Sequence, residues 1–219
     1  NQRLLAVVEK HGGRRVNGGS GTGKDDGGAH GELEIARTVQ QRLFPATSRR
    51  QGLENEGICL PAREIGGDYY DFLDLPGGLT GVVLADVSGK GIPAALLMAN
   101  LQASFRSVAA ETADVGRILE TVNRLFFKST PVERFATVFF AVLDPARGVM
   151  WYANCGHPPA LLLRANGAKS QWLEPTAMVL GVMESLPVDV VEVDVGSGDT
   201  VVVFTDGVSE AGVDGTGEF

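Results

Sequence analysis

The sequence predicts an α+β protein whose sheets are mainly antiparallel and carry helices on their outer sides. Two observations predict this. Short β-rich segments cluster before and after a pair of helical segments instead of alternating with helices one by one. The chain also has 219 residues, 44% of them hydrophobic and 21% charged, which suits one generous domain, or one domain with an appendage, that needs no disulfide to hold its core.

Taken in order, residues 1–10 carry Leu4, Leu5, Val7 and Val8 and read as the end of an upstream linker helix, too short to persist alone. Residues 11–31 are Gly, Arg, Asp, Ser and Lys with almost nothing apolar, so they read as a flexible linker. The domain proper is expected over 32–219. Leu33, Ala36, Val39, Gln40 and Leu43 recur at helical spacing as far as Phe44, and Pro45 ends the run. Strand character follows in 58–61, 69–75 and 79–87. Pro93 then opens a helix over 92–110 with the small, apolar texture of a buried element, and Ile118, Leu119, Val122, Leu125 and Phe126 mark a second helix over 115–128. Strands are expected again at 136–143, 149–153, 160–163, 188–195 and 200–205.

Charge and composition exclude several partners. With 19 Lys and Arg against 27 Asp and Glu the net charge is -8, which repels a phosphate backbone, so nucleic acid is not expected. No apolar run reaches the length of a membrane span. Cys59 and Cys155 form neither a CxxC motif nor a disulfide framework, which points to a reducing compartment and a cytoplasmic setting. The first residue is Asn1, and the chain reads as a fragment of a longer protein.

The chemistry is expected from aspartates at strand ends. Gly66-Gly67-Asp68 opens one strand, Asp86-Val87-Ser88-Gly89 closes another, and Thr205-Asp206-Gly207 closes a third. Any one of these is a turn aspartate beside glycine. Three together describe a site for a hard divalent cation, Mg or Mn, because carboxylates without histidine or thiolate suit such ions and the glycines let carbonyl oxygens approach. Other hydrolase chemistries fail on spacing: Leu161 stands where a cysteine phosphatase needs arginine after Cys155, Asp86 replaces the first glycine of a serine elbow at Ser88, and the three histidines are nowhere near HExxH. The stretch Gly18 to Lys24 imitates a phosphate loop, but Asp25 takes the place of the hydroxyl and no strand precedes it, so it reads as linker. His157, in Asn154-Cys155-Gly156-His157-Pro158, reads as a hairpin residue or a part of the pocket rim. Lys90 and Arg63 are the cations nearest the acidic motifs, and Tyr69 and Tyr70 read as packing.

The ordered motifs Leu33-x-x-Ala36-x-x-x-Gln40-x-x-Leu43-x-Pro45, Gly66-Gly67-Asp68-Tyr69-Tyr70-Asp71, Ala85-Asp86-Val87-Ser88-Gly89-Lys90-Gly91-x-Pro93, Phe135-Ala136-Thr137, Asn154-x-Gly156-His157 and Thr205-Asp206-Gly207 resemble the bacterial metal-dependent serine/threonine phosphatases of the SpoIIE and RsbU type, relatives of protein phosphatase 2C. The resemblance implies a four-layer α-β-β-α sandwich with two Mn2+ or Mg2+ ions at one edge of the paired sheets. By matched position, it implies that Asp86 bridges both ions, that Asp68 and the Val87 carbonyl complete the protein ligands of one, and that Asp206 holds the other. It further implies a phosphorylated regulatory protein as substrate, commonly an anti-anti-sigma factor of STAS fold in a stress or developmental pathway, with an upstream sensor domain and a homodimer as partners. The helix over 32–44 would couple that sensor to the metal site. The resemblance also places a further helix, strand and terminal Asp-Asp-Thr motif after the last residue here, so the domain is expected to be C-terminally incomplete and this fragment weak or inactive. The rival readings are a phosphatase-like interaction or signal-transmitting module without turnover, and a nucleotide-binding regulator using Gly18 to Lys24.

Overall fold

The computed structural model describes residues 2–9, 26–45, 49–50, 52–60, 65–165 and 167–209. In chain order these form β1 (Gln2–Glu9), α1 (Asp26–Gln41), β2 (Arg49–Arg50), β3 (Leu53–Leu60), β4 (Asp68–Leu75), β5 (Leu79–Val87), α2 (Ile92–Ala109), α3 (Val115–Ser129), β6 (Ala136–Asp144), β7 (Val149–Cys155), β8 (Ala160–Leu163), β9 (Gln171–Leu173), β10 (Val191–Asp194), β11 (Thr200–Phe204) and the short α4 (Asp206–Ser209). The fold is α+β, as the sequence predicts. One sheet runs β2-β3-β1-β11-β8-β9 and the other β10-β7-β6-β5-β4.

Side chains alternate along each strand, so β4 and β5 divide their residues between two cores. Tyr69, Leu73, Val83, Ala85 and Val87 pack with Met98, Leu101 and Phe105 of α2 and Ile118, Val122 and Phe126 of α3. Tyr70, Phe72, Val82 and Leu84 join Phe139, Leu162, Val201 and Val203 between the two sheets. The helical pair therefore covers the outer face of the five-stranded sheet, and the inner face meets the other sheet. Pro93 sits in the first turn of α2, and Asp114 caps α3 by accepting from the Arg117 amide at 2.9 Å.

The N-terminal segment differs from expectation. Gln2–Glu9 is a strand, not a helix end, and lies between β3 and β11, parallel to both. Its unbroken Leu4-Leu5-Ala6-Val7-Val8 run is what a central strand with parallel neighbours requires, and such a run lacks the alternation that marks an exposed strand. Helix α1 also starts at Asp26, inside the expected linker, because helical geometry propagates back from the Leu33–Leu43 stripe in spite of Gly27, Gly28 and Gly31. The rest of that linker, with the Gly18 to Lys24 imitation of a phosphate loop, lies outside the described residues. Among the described residues no helix is long and apolar enough to cross a membrane.

Candidate functional site

Antiparallel register brings two of the three candidate aspartates together. Asp68, first in β4, lies opposite Asp86 of β5, and Asp86 lies opposite Thr137 of β6. Residues directly opposite in an antiparallel ladder share a face. The next row on that face is Tyr70, Leu84 and Phe139, which fills the inter-sheet core. Asp68, Asp86 and Thr137 thus form a polar row at the end of the gap between the sheets. Asp68 is 4% exposed and Asp86 is half-buried.

The Val87 carbonyl is placed at this row by Gly67. A Cβ on residue 67 would stand 2.5 Å from the Val87 oxygen, so only glycine leaves that approach open, and the Val87 amide donates to the Gly67 carbonyl at 3.2 Å. The loop after β5 is tied from the side: Arg134 Nη1 donates to the Ser88 carbonyl at 2.9 Å, and the Phe135 amide donates to Ser88 Oγ at 3.0 Å. From α1, Gln40 Nε2 donates to the Gly66 carbonyl at 2.8 Å and Gln40 Oε1 accepts from the Gly66 amide at 3.1 Å. A cleft lined by Arg37, Gln40, Phe44, Cys59, Gly66 and Asp68 joins the helix to the site.

Asp206 comes from the opposite sheet. It opens α4 directly after β11 and is exposed, while Thr205 before it is fully buried and its Oγ1 has no hydrogen-bond partner among the described residues. Among the described residues, no three His, Cys, Asp or Glu side chains stand close enough together to hold a metal ion. The set is two facing carboxylates plus a carbonyl cradle on one sheet and a third carboxylate on the other. All are hard oxygen donors, which fit Mg or Mn and not a soft-metal site.

His157 is not on the rim. It is 1% exposed, its Nδ1 lies 2.9 Å from Thr137 Oγ1 and its Nε2 3.1 Å from the Phe204 carbonyl. Burial lowers its pKa to about 4, opposed by the bond to Phe204. Burial pushes the Cys155 thiol up to about 12, so it is no nucleophile. Lys90 is exposed, and Arg63 lies outside the described residues. Sequence reasoning did not assign functional parts to Arg134, Thr137 or Thr205. Thr137 and Thr205 lie in quoted motifs; Arg134 lies one residue before the first of these.

Residues 76–219 match the family described as Stage II sporulation protein E (SpoIIE). The phosphoserine phosphatase RsbU of Bacillus subtilis is 31% identical over 180 residues, which are 82% of this chain and 53% of RsbU, so the chain spans about half the length of that relative. A structure of the RsbU and RsbW domains of Rv1364c from Mycobacterium tuberculosis is 34% identical with a TM-score of 0.59, covering 66% of this chain and 40% of that one. The SiaA-PP2C domain of Pseudomonas aeruginosa shares the fold at 19% identity with a TM-score of 0.71, covering 86% of this chain and 77% of that one.

Proposed function

The chain belongs to the SpoIIE family, and from that premise we propose that it is the catalytic domain of a Mn- or Mg-dependent protein phosphatase acting on phosphoserine or phosphothreonine in bacterial signalling. The observation that carries this reading is the register of Asp68 with Asp86, beside a Val87 carbonyl that packs so closely on residue 67 that only glycine fits there. Asp86 would bridge two ions, Asp68 and the Val87 carbonyl would complete the protein ligands of one, and Asp206 would hold the other. When bound, such a pair of ions supplies Lewis acidity that lowers the pKa of a water and neutralises phosphoryl oxygens. The chain's own residues set the geometry. Arg134 and the Phe135 amide hold Ser88, which directly follows Val87, and Gln40 holds the backbone two residues before Asp68. Cys155 is buried with its thiol pushed up to about 12, and Asp86 stands where a serine elbow at Ser88 needs glycine, so neither of these two residues offers a covalent route.

The substrate we infer is a phosphorylated regulator, an anti-anti-sigma factor of STAS fold, with α1 passing a signal from an upstream sensor to Asp68 through Gln40. A second reading, a signal-transmitting module without turnover, is favoured by one observation: Asp206 does not join Asp68 and Asp86 in a three-carboxylate cluster. Phosphate release from a serine-phosphorylated STAS protein, measured with Mn and again with chelator, decides between the two. Mn-dependent release supports the phosphatase; binding of the phosphoprotein with no release supports the module.

A further inference from the structure

We propose that His157 is a positioning residue that fixes the distance between the two halves of the acidic site, holding the strand end that carries Asp206 against the row that carries Asp68 and Asp86. This rests on the phosphatase reading above and assigns to that site a part its ligands do not supply.

The argument starts from which sheets the imidazole touches. Thr137 belongs to the five-stranded sheet and is the register neighbour of Asp86. Phe204 ends β11 of the six-stranded sheet, two residues before Asp206. One buried ring therefore spans the gap at its polar end, at 2.9 Å to one sheet and 3.1 Å to the other. A carbonyl oxygen only accepts, so Nε2 carries the hydrogen and donates to Phe204. Nδ1 is then the acceptor, and the Thr137 hydroxyl donates to it. Both nitrogens are occupied by this bridge, so the ring acts on the acidic groups through the backbone and not as a ligand.

The turn that presents the ring is itself fixed. Asn154 Oδ1 accepts from the His157 amide at 2.8 Å, while Asn154 Nδ2 donates to the Leu173 carbonyl at 3.3 Å. Gly156 has φ +67°, and a Cβ there would stand 2.5 Å from Val179 Cγ1, so the turn tolerates only glycine. A fully buried Asn, an obligatory Gly and a histidine with one possible tautomer make a rigid strut, which is more than a hairpin needs. Rigid support of this kind matters because a divalent site loses affinity when its ligands are displaced by a fraction of an ångström.

The test uses His157→Phe, which removes both bonds, Thr137→Val, which removes one and keeps the volume, and His157→Gln, whose Nε2 retains a donor for Phe204. Mn affinity is measured by calorimetry on the 219-residue chain, each variant being combined with Asp206→Asn. We expect His157→Phe to weaken Mn binding about tenfold, Thr137→Val less, and His157→Gln to recover part of the loss. In the Asp206→Asn background the effect of His157→Phe should vanish, because both changes act on the same ligand. A merely structural histidine would leave its effect undiminished in that background, which overturns the proposal. Hydrogen exchange of the metal-free protein provides a reading that needs no Mn: the amides of Thr205 to Val208 should lose protection in His157→Phe, and unchanged protection there overturns the strut. If Asp206→Asn alone leaves Mn affinity unchanged, Asp206 is no ligand, and the failure lies in the site assignment on which the strut rests.

Discussion

The Gln40 side-chain amide of α1 pairs with both backbone groups of Gly66, 26 residues further along the chain and two residues before Asp68. The helix therefore meets the acidic row through two hydrogen bonds to backbone, while Ile35 and Val39 on the same helix remain 66% and 56% exposed. Gln40→Ala should cost about 1–2 kcal/mol of stability and lower turnover by more than that loss of fold explains, because it frees the Gly66-Gly67-Asp68 segment. Val39→Asp should leave stability within about 0.5 kcal/mol, so any change in its activity reports signalling through the helix. Denaturant curves beside turnover assays check both. Equal losses of stability and activity across Leu33, Gln40 and Leu43 variants would reduce α1 to a packing element.

A second anchor, on the turn that follows α1, predicts a stability effect without a catalytic one. Arg106 of α2 donates from Nε to Asp71 Oδ2 at 2.7 Å and from Nη2 to the Leu43 carbonyl at 3.1 Å, while Tyr69 donates to Asp71 Oδ2 at 3.0 Å. Asp71 is 2% exposed, so removing its cation leaves a buried, under-compensated charge. Because the Arg106 side chain is 47% exposed and Tyr69 still donates to Asp71, Arg106→Ala should cost about 1–2 kcal/mol, and Asp71→Asn with Arg106→Ala less than the sum of the two. Urea midpoints of the single and double variants test this; additive losses would mean that the pair is not coupled.

Legibility in the sequence follows contact distance. The strand over 79–87 was readable to its ends because its apolar run is bounded by Gly77-Gly78 and Ser88-Gly89, and α3 was readable from its one-sided stripe. Strand β1 was not, since a continuous apolar run carries no period, and β9 was not, since three residues with Trp172 half-exposed carry almost no pattern. Within the candidate site, aspartates at the ends of apolar strands single out Asp68, Asp86 and Asp206 in the sequence, but the register that places Asp68 opposite Asp86 exists only once β4 and β5 pair. The bonds of His157 reach Thr137 and Phe204, 20 and 47 residues away, and no local spacing announces them.

Asp86→Ala separates chemistry from folding. The Asp86 side chain stands in the polar row and belongs to neither apolar core, so the substitution should leave the metal-free protein folded, while turnover of a phosphoserine substrate in Mn falls by several orders of magnitude. Mn should raise the melting temperature of the wild type and much less that of the variant, since only an ion bound by the folded state stabilises it. Melting curves with and without Mn, beside the turnover assay, give the answer, and near wild-type turnover in Asp86→Ala would remove Asp86 from the site.

His157 predicts an acid sensitivity whose sign is fixed by its burial. The ring takes up a proton at about 6.5 in the unfolded chain but only near 4 in the folded protein, where burial disfavours the charged form. Between these values the unfolded state binds more protons, so stability is intact above 6.5 and is lost as the pH falls towards 4. At pH 5 the loss from this one residue is about 2 kcal/mol. The acidic fall in stability should be shallower in His157→Gln than in the wild type, whereas carboxylates common to both proteins contribute equally. Urea unfolding of metal-free wild type and His157→Gln at pH 7.5, 6 and 5 isolates this contribution. Parallel pH profiles would mean that the folded ring accepts a proton as readily as the unfolded one, and that burial does not hold it neutral.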